Sequence, residues 1–78
     1  MKINERLKEL RVANGLSQED VAKFLNISKQ GYGYYENNKR NISSEAIVKL
    51  AEFYQVSADY LLGLSEDPTP PKMEKRIH

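Results

Sequence analysis

A chain of 78 residues is long enough for one domain and leaves no room for a separate catalytic lobe. Its composition, 40% hydrophobic and 29% charged, is that of a globular protein rather than a disordered one. There is no cysteine, which excludes a disulfide framework and a thiolate metal site. No apolar stretch approaches the ~20 residues that span a bilayer, and the charged start lacks the apolar run of a signal peptide.

Charge is unevenly distributed along the chain. The net charge is +1, but residues 1–40 carry eight Lys and Arg against five Asp and Glu, whereas residues 41–78 carry four against six. This asymmetry suits a protein with one face turned towards phosphate. Many ordinary globular proteins share it, so charge alone assigns no function.

Two short helices are predicted at the amino-terminal end. Apolar residues at helical spacing indicate a first helix over residues 3–14, and Gly15 follows where a left-handed residue ends a helix. Ser17 is a typical N-cap, with two acids behind it in the positively polarised first turn of a second helix. The buried face of that helix is predicted to consist of Val21, Ala22 and Leu25.

A third helix is predicted after a short turn. Asn26 tolerates a left-handed backbone better than most residues, and Ile27 is expected to face inward. Ser28 is expected to cap a helix over residues 29–37. The second and third helices are then three or four residues apart, which is the spacing of a helix-turn-helix unit.

The rest of the chain predicts two more helices and a tail. Ser43 is expected to cap a fourth helix, and residues 57–63 form a short fifth helix that ends at Gly63. Three prolines then occur within four positions, which a helix cannot accommodate. We therefore predict an all-α fold, with a compact five-helix domain over residues 1–64 and a flexible tail or linker over 65–78.

Catalytic chemistry has little support in this sequence. The only histidine is His78, at the end of the predicted tail, so a histidine-based triad or metal cluster is not available. The segment 31–33 lacks the further glycine, lysine and hydroxyl of a phosphate loop. We expect no enzyme activity, no metal and no cofactor. A helical bundle that binds another protein is the main competing interpretation.

The order of residues becomes specific between positions 16 and 40. Residues 16–30 are LSQEDVAKFLNISKQ, and residues 35–40 are YENNKR. Together with residues 5–11 upstream and matching positions between 50 and 63, they resemble the XRE family of helix-turn-helix regulators, which includes phage repressor and Cro proteins. The resemblance implies a lambda-repressor-like domain whose third helix lies in the major groove of DNA.

The resemblance implies base recognition at the start of the third helix. Lys29 and Gln30 match positions from which the family contacts base edges, although a phosphate contact fits Lys29 almost as well. Glutamine can bond to adenine N6 and N7, and lysine can donate to guanine O6 and N7. Tyr34, one turn later, would pack on a thymine methyl or bond to a phosphate, unless it is simply a half-exposed surface tyrosine.

Other matching positions imply phosphate contacts. Gln18 begins the second helix, whose free N–H groups favour an anion, although an exposed glutamine would look the same. The polar loop after the third helix would lie along the sugar-phosphate backbone, although a solvated loop has the same composition. The residues implied to contact phosphates are Gln18, Tyr35, Asn37, Asn38, Lys39 and Arg40.

The resemblance also implies how the third helix is supported. Arg11 and Glu36 match an ion pair that joins the first helix to the end of the third; the alternative is two unrelated surface charges. Tyr32 and Tyr35 match inward-facing positions, with the Tyr35 hydroxyl reaching outward. Stacking of single-stranded bases on these tyrosines is a less favoured interpretation.

Two glycines depart from the family pattern. Gly31 and Gly33 lie inside the third helix, where each costs roughly 1 kcal/mol relative to alanine. The missing side chains would allow close approach of the duplex, or the helix is loose until DNA binds. Asn38 stands where glycine is common, and asparagine is the next best residue for a positive φ.

The expected partner is double-stranded DNA, bound by a homodimer on a two-fold symmetric operator, with repression as the favoured outcome. The recognition helices would then lie ~34–36 Å apart. The alternatives are a protein partner, bound near Phe24 or Phe53, and a further carboxyl-terminal domain after the tail; no membrane partner is expected. The setting expected from the resemblance is the cytoplasm, with a bacterial or phage origin and association with the nucleoid. The predicted dimer surface comprises Tyr54, Tyr60, Leu61 and Leu64.

Overall fold

The computed structural model describes residues 1–70, so residues 71–78 of the predicted tail lie outside the described residues. Five α-helices and no strand occur within residues 1–70, and the all-α prediction is confirmed. No helix of this part of the chain is both long and apolar enough to cross a membrane. The helices are α1 Ile3–Ala13, α2 Gln18–Leu25, α3 Lys29–Glu36, α4 Ser44–Tyr54 and α5 Ala58–Leu61.

A serine caps the amino-terminal end of four of the helices. The hydroxyls of Ser17, Ser28, Ser43 and Ser57 each accept the backbone N–H three residues ahead, at 2.9–3.1 Å. At α2 the cap is reciprocal, because the Asp20 carboxylate also accepts the Ser17 N–H at 2.9 Å. Each cap satisfies a donor that the helix itself leaves unpaired and contributes about 1 kcal/mol.

Left-handed residues follow all five helices, and after α2, α3 and α4 that residue is not glycine. Asn26 after α2, Asn38 after α3 and Gln55 after α4 have φ values of 60°, 59° and 57°. The first two were predicted from the sequence. After Asn38, the Lys39 N–H donates to the Tyr34 carbonyl at 2.8 Å and closes the end of α3 in a Schellman motif. The loop that follows α3 therefore leaves the helix in a defined direction.

The core lies between α3 and the other helices. Its largest fully buried side chain is Tyr32, which anchors α3 against α1 and α2. The prediction that Ile27 faces inward is wrong, because its side chain is 37% exposed at the end of the turn. The buried cluster comprises Leu7, Val21, Ala22, Leu25, Tyr32, Ala46, Leu50, Ala51 and Leu61.

The first residues of the predicted tail lie against the helices. The Ser57 N–H donates to the Pro68 carbonyl at 2.9 Å, and Glu66 forms an ion pair with Arg6 at 3.5 Å. Arg6 is only 2% exposed, and its guanidinium carbon lies 3.7 Å from the centre of the Tyr60 ring. The segment 65–70 thus contacts the helices through Glu66 and Pro68.

Gly63 joins the end of α5 to the start of the chain. Its φ of 82° is one that side chains rarely adopt, and a Cβ at this position would overlap the Met1 carbonyl. Both the backbone conformation and the space therefore require glycine here.

Candidate nucleic-acid interface

Helix α3 has one buried face and one exposed face. Tyr32, Gly33 and Glu36 are buried, whereas Lys29 and Gln30 are exposed and Tyr34 is half-buried. The buried residues hold the helix against the domain. The three residues predicted to contact bases are therefore accessible at the surface of the same helix.

Gln30 and Tyr34 are joined to each other on this exposed face. The Gln30 Nε2 donates to the Tyr34 hydroxyl at 2.8 Å, one helical turn away. The Arg40 guanidinium carbon lies 5.3 Å from the centre of the Tyr34 ring, within the range of a cation–π contact. A predicted base-contacting residue and a predicted phosphate-contacting residue thus meet at the same tyrosine.

The loop after α3 extends the polar surface. Asn37, Asn38, Lys39 and Arg40 are all exposed, and Tyr35 is half-buried with its ring edge against Tyr32. Residues 29–41 contain three cations and a single acid, Glu36. Because that acid is buried and paired, the exposed charge of this segment is positive.

Arg11 and Glu36 form a two-point ion pair between α1 and α3. The Arg11 Nε donates to Glu36 Oε2 at 2.7 Å, and its Nη2 donates to Oε1 at 3.1 Å. The two side chains are 13% and 2% exposed. Arg11 also donates to the Leu16 carbonyl at 2.9 Å. One guanidinium thus connects α1, the turn before α2 and the end of α3.

The electrostatics of this pair follow from its burial and its hydrogen bonds. Burial by itself would raise the pKa of Glu36, but the hydrogen bonds from Arg11 and Gln18, together with the Arg11 charge, outweigh it, and the pKa is lowered. The hydrogen bond to Glu36 raises the pKa of Arg11. Burial, together with the Glu36 carboxylate, raises the pKa of Tyr32. Both members of the pair are therefore charged at neutral pH.

Gln18 takes part in the same network. Its Nε2 donates to Glu36 Oε1 at 3.1 Å, so one of its two amide hydrogens is committed inside the domain. A phosphate contact by Gln18 would use its second amide hydrogen or the unpaired N–H groups that begin α2. Gly33 is buried facing this side chain, with the Gln18 Oε1 3.7 Å from where a Cβ would lie. Gly33 is thus covered by the Gln18 side chain, and the two explanations given for the glycines stay predictions.

The residues predicted to form a dimer surface do not share one environment. Leu61 is 0% exposed and belongs to the core, so its assignment to the surface is wrong. Tyr60 lies beneath the Arg6 guanidinium. Tyr54 is half-buried, and its burial raises the pKa of its hydroxyl to about 12. Leu64 is 76% exposed and is the member of the set most open to contact.

Two features escaped the sequence analysis. The burial of Arg6 depends on Tyr60 and Glu66, which are more than fifty residues away, and no local pattern marks it. Phe24 and Phe53 stack on each other with ring centres 4.3 Å apart.

Within residues 1–70, no group of three His, Asp or Glu side chains is placed to hold a metal ion.

A capped helix, a left-handed turn and a second helix with an exposed polar face define a helix-turn-helix domain. The chain belongs to the helix-turn-helix family, whose sequence model matches residues 7–61, and the resemblance to XRE-type regulators is confirmed. Proteins of this class are DNA-binding regulators rather than enzymes, in agreement with the prediction of no enzyme activity.

Relatives of known class support this assignment. The chain is 42% identical over 72 residues to YobD, an uncharacterized HTH-type transcriptional regulator of Bacillus subtilis (strain 168), covering 92% of this chain and 63% of that protein. It is 32% identical over 74 residues to the cryptic phage CTXphi transcriptional repressor RstR of Vibrio cholerae, covering 95% and 67%. The chain spans only 52% and 54% of two other B. subtilis regulators, ImmR and the prophage-derived YonR.

Solved structures show the same fold. A transcriptional regulator from Listeria innocua superimposes with a TM-score of 0.77 at 27% identity, covering 80% of this chain and 58% of that one. The P22 c2 repressor, solved in complex with a synthetic operator, superimposes with a TM-score of 0.75 at 23% identity, covering 83% and 98%. The predicted repressor-like fold is confirmed.

Proposed function

We propose that this chain binds double-stranded DNA in a sequence-specific manner as a transcriptional regulator, with α3 in the major groove. The observation that carries the proposal is the division of α3 into a buried face, held by Tyr32 and the Glu36 ion pair, and an exposed face with Lys29, Gln30 and Tyr34. The major groove admits an α-helix, and amide and ammonium groups complement the edges of its bases.

Phosphate contacts on either side of α3 complete the proposed interface. Exposed cations and amides follow α3 in the loop, and the N-terminus of α2 offers unpaired N–H groups beside Gln18. Such contacts fix the register of the protein on the duplex without discriminating between bases. The residues proposed for them are Gln18, Tyr35, Asn37, Asn38, Lys39 and Arg40.

A homodimer on a two-fold symmetric operator is the proposed form that binds DNA. Similarity to the repressor RstR favours repression. A bound dimer could block a promoter without a second domain. The relative BcrR of Enterococcus faecalis, 32% identical over 76 residues, is an activator, so the direction of regulation needs its own test. Of the predicted dimer residues, Leu64 is the one retained in the proposal.

Selection from a pool of random duplexes tests the proposal. The chain is titrated against labelled pools at about 50 mM and 200 mM salt, and the bound fraction is sequenced. An inverted repeat with half-sites about 10 base pairs apart is expected, and affinity should fall steeply with salt. Weak binding with no enriched sequence would refute the proposal.

Single substitutions separate the two kinds of contact. Lys39→Ala should weaken binding to all sequences and lower the salt slope by about one, because one phosphate contact is lost. Gln30→Ala should instead relax preference at one position of each half-site. Lys8→Ala is the matched control, since this exposed lysine lies on α1 beside Glu5 and Glu9 and should leave the slope unchanged.

The stacked pair Phe24 and Phe53 favours a second candidate, a protein-binding module on the same fold. The two residues are 42% and 40% exposed and together present an apolar surface, a feature that marks protein contact sites when it is large enough. Substituting serine at both positions should leave operator binding intact if DNA binding is autonomous. Absence of specific DNA binding by the wild-type chain would favour the protein-binding function.

A further inference from the structure

The hydrogen bond between Gln30 and Tyr34 restricts what Gln30 can do at a base edge. A glutamine amide carries one acceptor oxygen and two donor hydrogens. The Tyr34 hydroxyl accepts one of those hydrogens at 2.8 Å. Gln30 then has its oxygen and one hydrogen left for a base.

Adenine and guanine differ in how well they match what is left. Adenine presents a donor at N6 beside an acceptor at N7, whereas guanine presents two acceptors, O6 and N7. An amide with one oxygen and one hydrogen can make two bonds to adenine. The same amide can make only one bond to guanine, where its oxygen would face a second acceptor. Without the tyrosine hydroxyl, both amide hydrogens would be available to guanine.

The position of Tyr34 is itself defined on both sides. Its backbone carbonyl accepts the Lys39 N–H that closes α3, and the Arg40 guanidinium lies over its ring at 5.3 Å. The ring is half-buried, whereas Gln30 is exposed. The Tyr34 side chain is therefore more firmly positioned than the Gln30 amide that donates a hydrogen bond to its hydroxyl.

We propose that Tyr34 is a positioning residue that makes Gln30 select adenine over guanine at one base pair of each half-site. This inference rests on the proposed function, because it requires α3 to lie in the major groove. It goes further in naming the preferred base and the residue that sets the preference. The tyrosine acts through Gln30, and its ring need not touch that base.

Tyr34→Phe is the informative substitution, because it removes the hydroxyl and keeps the ring beneath Arg40. The position contacted by Gln30 is identified first, as the one where Gln30→Ala loses preference. At that position, the wild-type chain should bind adenine about tenfold more tightly than guanine, the scale of one bidentate contact. Tyr34→Phe should reduce the ratio to about threefold or less.

A measurement without DNA separates failure of this inference from failure of the proposed function. In the NMR spectrum of the free chain, Tyr34→Phe should shift the Gln30 side-chain amide resonances, while Lys8→Ala should not. An unchanged adenine-to-guanine ratio in Tyr34→Phe, or a wild-type preference for guanine, would overturn the inference while leaving sequence-specific binding in place. A shift of the amide resonances together with no enriched operator would show that the pair exists and that both proposals about DNA are wrong.

Discussion

Replacement of Glu36 by glutamine tests whether the ion pair with Arg11 holds α3 in place. The substitution keeps the shape of the side chain and removes its charge. It leaves the Arg11 guanidinium, which is 13% exposed, without its anionic partner. Because α1, the turn before α2 and α3 all meet at this arginine, we expect the loss to destabilise the whole domain.

The size of the effect follows from the burial of the pair. Glu36 is 2% exposed, and it accepts bonds at 2.7 and 3.1 Å from Arg11 and at 3.1 Å from Gln18. Breaking one side of a buried pair costs about 3–5 kcal/mol, and the retained amide oxygen favours the lower end. We expect Glu36→Gln to lower the free energy of unfolding by about 3 kcal/mol at pH 7.

The same prediction has a pH dependence of known sign. The folded-state pKa of Glu36 lies below its ordinary value of 4.5. The stability that the carboxylate contributes is therefore complete above that value and is lost as the pH falls through the folded pKa. Urea unfolding followed by circular dichroism should show a difference between wild type and variant that is largest near neutrality. The difference should shrink as the pH is lowered below about 4.5.

An exposed ion pair supplies the control. Glu45 lies 3.9 Å from Lys49 on α4 and is 81% exposed, so Glu45→Gln should change stability by less than about 0.5 kcal/mol. A loss below about 1 kcal/mol in Glu36→Gln, or a loss that stays constant down to pH 3, would refute the reasoning. Either result would mean that the observed contacts do not hold α3.

Three further substitutions test two glycine positions and one helix cap. Gly33→Ala should raise the free energy of unfolding, measured in urea, by about 0.5–1 kcal/mol, because alanine is the better helix former. The new methyl would lie in ordinary contact, 3.7 Å from the Gln18 Oε1. A lower free energy of unfolding would show that the site is too tight for it. Gly63→Ala should lower the melting temperature, with about 1–3 kcal/mol lost to the positive φ and the clash with the Met1 carbonyl, and an unchanged melting temperature would contradict this. Ser28→Ala should cost about 1 kcal/mol, because the cap of α3 is removed, and should weaken operator binding in the same titrations; unaltered stability would contradict it.

Helix starts and turns could be predicted because they depend on neighbours in sequence. A serine cap bonds an N–H three residues ahead, and a left-handed asparagine ends the helix that precedes it. Ser17, Ser28, Asn26 and Asn38 therefore all lie in the conformations that the sequence indicates. Gln55 was missed at its left-handed position, because glutamine has no marked preference for that conformation.

Features that depend on distant contacts could not be predicted. Arg6 looks like an exposed helix residue until Tyr60 and Glu66 cover it from the other end of the chain. Leu61 lies in a helix of four residues, which is too short for periodicity to show which side faces inward. The sequence left two explanations for Gly33 open, because it does not show that the Gln18 side chain of α2 covers this glycine. The hydrogen bond from Gln18 to Glu36 was also missed, because the sequence resemblance gave these two residues separate roles.

The make-up of α3 has a consequence for attempts to copy its recognition in a synthetic peptide. The helix has eight residues, two of them glycine, and isolated helices shorter than ~12–15 residues are marginal in water even for the best helix formers. Its shape is imposed by the Ser28 cap, by Tyr32 in the core and by the arginine that reaches across from α1. A fragment cut out at residues 28–40 would lose two of these three supports and unfold. Any minimal ligand derived from this protein must therefore carry α1 and α2 as its scaffold.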